Sequence, residues 1–139
     1  KGRAVTHIVN VTTGPNYFPE DFVYCRVPIE DNECADLLQQ LDPALGFIEE
    51  TLASCGSNAV TDVGQKGRGG QEAVVVLVHC REATSRSVSV LLAYLMRHLR
   101  LPLKDALAYL HARRQPLART KPNRGFMAQL RSFEHSEGL

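Results

Sequence analysis

A cysteine and an arginine six residues apart, Cys80 and Arg86 in the stretch VVVLVHCREATSRS, are the residues of this chain best suited to chemistry. A guanidinium is a planar fork that can grip two oxygens of a phosphate at once. A cysteine beside it, on a loop leading into a helix, is expected to be a thiolate near neutral pH. Helix N-termini and adjacent cations lower a thiol's pKa from about 8.5 to roughly 3.5–7.5. Backbone N–H groups and the positive dipole end at a helix N-terminus favour an anion at the same spot. Cradle, nucleophile and clamp together make a device for attack on a bound phosphate monoester. The bland alternative is an inert buried cysteine. Of the four cysteines, however, only Cys80 has an arginine six residues later, and only Cys80 follows an apolar strand-like run.

The elements that must hold this loop can be read from pattern. Val74 to Val78 are apolar and mostly β-branched, which predicts a buried central strand. After Ser87 the pattern changes to a helix, Val88 to Arg100, apolar on nearly every side. Strand, tight loop and buried helix put Cys80 at the carboxyl end of a sheet, where open α/β sheets bind ligands. Upstream, Val5 to Thr12 reads as a strand closed by the turn formers Gly14-Pro15-Asn16. Phe22 to Pro28 reads as a second strand, delivering the chain to the polar loop Ile29-Glu30-Asp31-Asn32. A helix follows with Leu38, Leu41, Leu45, Ile48 and Leu52 on one stripe, and Pro43 is expected to kink or restart it. Residues 54–70, rich in Gly, Ser and Asn, read as a flexible surface loop. A further helix from about Pro102 turns Leu103, Ala106, Leu107 and Leu110 inward. The last helix opens at Asn123 and buries Phe126, Leu130 and Phe133.

Ester cleavage also needs a proton for the leaving oxygen. A carboxylic acid facing the cysteine can supply it and, once ionised, can activate the water that breaks the thiophosphate. Glu30, Asp31 and Asp36, in and after the loop that follows the second strand, are the carboxylates on offer.

HCREATSRS resembles the His-Cys-x5-Arg-Ser signature loop of the cysteine-dependent protein phosphatases. VTHIVNVT, YCRVPIEDNE, LLAYLMRH and PNRGFMAQL resemble recurring segments of their small dual-specificity branch, in the right order across nearly the whole chain. The resemblance implies an α/β fold: a central, mostly parallel mixed sheet flanked by helices, with the phosphate-binding loop between the central strand and a buried helix. It implies one catalytic domain over residues 1–139, with Asp31 as the general acid. His79 would fix the loop and favour the thiolate, and Ser87 would donate a hydrogen bond to the Cys80 sulfur. Backbone N–H groups of Arg81, Glu82, Ala83, Thr84, Ser85 and Arg86 would hold the phosphate oxygens. Asn123 would brace the loop through its side chain, a role that overlaps with capping its helix. No metal or other cofactor is implied. The partner would be a phosphoprotein, a protein kinase among the candidates.

This chain departs from that family in three places, one of them the 54–70 loop, an insertion longer than the family usually has at that point. Ala83 stands where the family has glycine. If the position needs a conformation that glycine alone adopts easily, a Cβ costs about 1 kcal/mol or more. A catalytically weak phosphoprotein-binding module is therefore the rival reading, and a purely structural α/β domain is a third. The opening strand and helix usual in the family are shortened or absent, and the chain starts at Lys1 without methionine, so an excerpt is expected.

Composition bounds the rest. With 139 residues and 44% hydrophobic content, one globular domain is expected. No apolar run is long enough to span a bilayer. The four cysteines show no CxxC pair and no zinc-type spacing with the five histidines, so a reduced, intracellular setting, cytoplasmic or nuclear, is expected. The net charge of +1 is unevenly spread. Residues 1–80 carry 5 basic and 11 acidic side chains, a balance of −6, whereas residues 81–139 carry 11 basic and 4 acidic, a balance of +7. A basic field around Cys80 would draw in anions. The basic stretch Arg113 to Arg124 has no aromatic residue for base stacking, which argues against nucleic acid. Glu82 at the loop mouth argues against highly anionic lipid or RNA substrates.

Overall fold

The computed structural model describes residues 4–54, 74–82, 85–114 and 121–139. Ala83, Thr84, Cys55 and all but the first residue of the 54–70 stretch lie outside them. β1 (His7–Asn10) is the middle strand of the sheet, with Ile8, Val9 and Asn10 buried. It pairs in parallel with β2 (Val23–Arg26) on one side and β3 (Val76–His79) on the other. Register sets His7 opposite both Val23 and Val76.

Parallel neighbours need a long crossover, and residues 11–22 supply the one from β1 to β2. Its turn is held by the fully buried Asn10, whose Nδ2 donates to Gly14 O, Pro15 O and Asn16 Oδ1 at 3.0–3.2 Å. Among the described residues the central position expected for the Val74 run belongs to β1. Among the described residues β3 stands at the end of the three-strand order, and Leu77 is 44% exposed. An apolar β-branched run looks the same whether it has two strand neighbours or one, so composition could not tell these apart.

α1 (Leu38–Ala53) buries Leu41, Ala44, Leu45 and Ile48 and packs on β2. Pro43 lies inside it without splitting it. The bond that proline forfeits would have ended on Gln39, in the opening turn. That turn is held instead by Gln40 N–H on Leu37 O and by Gln39 N–H on Asp36 Oδ1.

α2 (Arg86–Leu99) is the hub. Nine of its residues are buried, from Ser87 to Met96, and it packs on β3, on α1, on α3 (Leu103–Arg113) and on α4 (Arg124–Ser136). A helix touched on so many sides has no polar face, which is why its sequence reads as apolar nearly all round. It ends in Arg100, left-handed at φ 55, with the guanidinium on Glu137 O just beyond α4. α3 buries Leu103, Ala106 and Leu110, with Leu107 half-buried, and α4 buries Phe126, Leu130 and Phe133. The outcome is a small parallel sheet with its helices packed around α2.

Candidate active site

β3 stops at His79, whose carbonyl accepts Val11 N–H at 2.8 Å, so the sheet is pinned at the residue before Cys80. Cys80 is half-buried and reduced. Its Sγ lies 3.1 Å from the hydroxyl of Ser87, the fully buried second residue of α2. Arg81 and Glu82 are exposed where the loop turns outward. Ser85 is buried at the N-cap position of α2, but its hydroxyl does not cap that helix. It accepts Asn123 N–H at 2.9 Å, while Ser85 O takes both the N–H and the hydroxyl of Ser89.

Arg86, the first residue of α2, sends Nη1 across to Ile29 O at 3.1 Å. That carbonyl opens the loop carrying Glu30 and Asp31. A backbone acceptor has no side-chain signature, so sequence reasoning had nothing by which to find it. Among the three candidate carboxylates, Asp36 accepts Gln39 N–H in the first turn of α1, and Glu30 has a 3.5 Å contact from Asn32 Nδ2. Asp31 is exposed, and its Oδ1 accepts Asn123 Nδ2 at 2.9 Å.

Asn123 therefore joins three structures. Its Oδ1 caps α4 by accepting Phe126 N–H, its Nδ2 holds Asp31, and its main-chain N–H reaches Ser85 in the signature loop. The side chain was expected to brace that loop. Among the described residues the brace runs through the main-chain N–H instead, and the side chain meets Asp31 and the helix end.

The other described cysteines are differently placed. Cys34 is exposed, and burial pushes the Cys25 thiol pKa up. Cys25 pairs with Val9, which pairs with Val78, so Cys25 is two strand spacings from a residue that itself lies two positions before Cys80. That is roughly 10 Å between Cα atoms at about 4.8 Å per strand, beyond the 4.4–6.8 Å that a disulfide typically spans.

A family model described as dual specificity phosphatase, catalytic domain, matches residues 1–136. The chain belongs to this family. Dual specificity protein phosphatase 1-B of Xenopus laevis is 35% identical over 131 residues, covering 94% of this chain and 30% of that protein. Human dual specificity protein phosphatase 9 is 36% identical over 136 residues, with 95% and 30% covered. The chain thus spans about 30% of the length of these curated relatives. The crystal structure of human DUSP28 superposes with a TM-score of 0.74 at 31% identity, covering 97% of this chain and 78% of that one. The helices around a parallel sheet are thus the dual specificity phosphatase fold. Among its described residues, no helix is long and apolar enough to cross a membrane.

Proposed function

We propose that the chain is a single phosphatase domain that hydrolyses phosphotyrosine, phosphoserine and phosphothreonine in proteins through a Cys80 phosphoenzyme. The observation that carries this reading is the Cys80 sulfur at the end of β3, 3.1 Å from the Ser87 hydroxyl in the first turn of α2. A thiolate there faces the N–H groups and positive end of a helix, which stabilise it and the phosphate it attacks.

In the first step the sulfur forms a bond to phosphorus and the P–O bond to the substrate breaks. The departing oxygen takes the proton of the Asp31 carboxyl. In the second step Asp31, now a carboxylate, takes a proton from the water that attacks phosphorus. The S–P bond breaks, the Ser87 hydroxyl stabilises the returning thiolate, and inorganic phosphate leaves. Arg86 and the N–H groups of residues 81–86 hold the equatorial oxygens throughout. His79 behind the cysteine keeps the loop in shape. No metal or cofactor enters these steps. A phosphoprotein, a protein kinase among the candidates, is the proposed partner, in a reducing compartment where the thiolate survives.

The test is hydrolysis of an activated aryl phosphate by the unaltered chain and by Cys80→Ser, with reductant and a chelator. Turnover is expected in the first and a loss of more than about a thousandfold in the second. Equal turnover in both would remove Cys80 from the mechanism. Turnover in neither, with phosphopeptide binding retained, would replace the enzyme with a phosphoprotein-binding module.

A further inference from the structure

The segment from Ile29 to Leu38 carries the proposed proton donor but has little holding it from within. Buried Ile29 and Leu37 anchor its ends. Between them run short local bonds, Asn32 N–H to Glu30 O, Asn32 Nδ2 to Glu30 Oε2, Ala35 N–H to Asn32 O and Cys34 N–H to Asn32 Oδ1. Its outer side, including Asp31 and Glu33, is exposed. Its inner side lies along the first two turns of α4.

There Gln129 meets three backbone groups at once. Its Oε1 accepts Leu37 N–H at 2.7 Å and Leu38 N–H at 3.1 Å, and its Nε2 donates to Ala35 O at 2.8 Å. One turn earlier, on the same face of the helix, Gly125 touches the Glu33 backbone so closely that a Cβ would overlap the Glu33 carbonyl and Cα. The obstructing atoms are main chain, so they cannot swing aside as a side-chain tip could.

We propose that Gly125 and Gln129 form a seat on α4 that sets the position of the acid loop, making them positioning residues for proton transfer by Asp31. The inference rests on Asp31 being the proton donor. Proton transfer needs the carboxyl within about 2.6–3.2 Å of the leaving oxygen, and misplacement by about 1 Å can cost 10²-fold. Any side chain at 125 must lift Glu33 off the helix and so pull Asp31, two residues away, against the 2.9 Å bond by which Asn123 Nδ2 holds it. The nucleophile follows β3, and Arg86 at the start of α2 meets the acid loop only at Ile29 O, its buried end, away from Glu33.

The experiment compares turnover of an activated aryl phosphate with turnover of phenyl phosphate, whose leaving group needs the proton. Asp31→Asn is the reference and should raise the ratio of the two at least tenfold. Gly125→Ala is expected to raise it by a similar factor, with the inhibition constant of inorganic phosphate moving less than twofold. Combining Gly125→Ala with Asp31→Asn should add nothing further to the ratio. Should Gly125→Ala not fold, the same ratio is read in Gln129→Leu, which deletes the seat's polar contacts, beside the conservative Gln129→Glu, which keeps the acceptor and restores part of the effect. A folded Gly125→Ala, or Gln129→Leu in its place, that slows both esters alike or neither overturns the seat. If Asp31→Asn itself leaves the ratio unmoved, the proton donor lies elsewhere, and the reading of Asp31 falls first.

Discussion

Tyr94 carries a phenol hydroxyl that is buried without a hydrogen-bond partner among the described residues, an arrangement that folded proteins seldom keep. Its ring stacks on His98 with centroids 5.2 Å apart and planes 12° from parallel. The stacking stabilises the ring, while the stripped hydroxyl costs on the order of 1–3 kcal/mol. Tyr94→Phe keeps the ring and deletes the cost, so stability at neutral pH is expected to rise by about 1 kcal/mol. The reading is a higher urea midpoint at an unaltered m value, and a lower midpoint would show that the hydroxyl has a partner in solution. At this scale the sequence announced a contact between near neighbours in the chain, that of the Cys80 sulfur with the Ser87 hydroxyl. It could not announce contacts between distant segments. Ser85 and Asn123 are 38 positions apart, and Asp31 and Asn123 are 92. No periodicity links such pairs, and only the packing of α4 against α2 and the acid loop brings them together.

The elements were legible wherever an apolar stripe had to be buried. The inward positions of α4, Phe126, Leu130 and Phe133, are those that a 3.6-residue period selects. Strand ends were less so. Val11 and Val27 are fully buried just past the ends of β1 and β2, so hydrophobicity runs on where the ladder stops. Pro43 does not restart the helix, because its cost depends on which carbonyl it orphans. The glycines of the helices show the same dependence on place. Gly125 has the Glu33 backbone against it, whereas at Gly46, mid-way along α1, a Cβ would meet nothing within 4 Å. Gly46 therefore costs the helix backbone entropy without returning a contact. Gly46→Ala is expected to stabilise by about 0.5–1 kcal/mol, a rise of a few degrees in the melting temperature of a domain this size. A fall would place a neighbour against that face of α1 in solution.

Across the whole molecule the acidic residues 1–80 supply β1, β2, the acid loop, α1 and β3 with Cys80, and the basic residues 81–139 supply the rest of the signature loop and α2 to α4. The site lies along the seam, a fact the sequence carried only as two charge counts. Burial of that seam's scaffold leaves a mark on the pH dependence of folding. Burial pushes the Cys25 thiol up, and burial first and the nearby Glu49 second push the Tyr94 phenol up. A folded-state pKa above the unfolded value means that the native chain holds a proton the unfolded chain releases. The associated stability is fully present below the unfolded value and is lost as pH rises through the folded one. Burial works to lower the Arg97 pKa, but its hydrogen bonds to Glu137 and Asp42 prevail and raise it. It stays charged and does not add to this slope. Stability is thus expected to hold near neutrality and to decline from roughly pH 8.5 upward, steepening near pH 10 where an unfolded tyrosine ionises. Urea titrations with reductant between pH 7 and pH 10.5 measure it. Cys25→Val should flatten the first part of the decline and Tyr94→Phe the second. A wild-type midpoint that stays level to pH 10.5, or a double variant that declines as steeply, would mean that neither group keeps its proton through the fold.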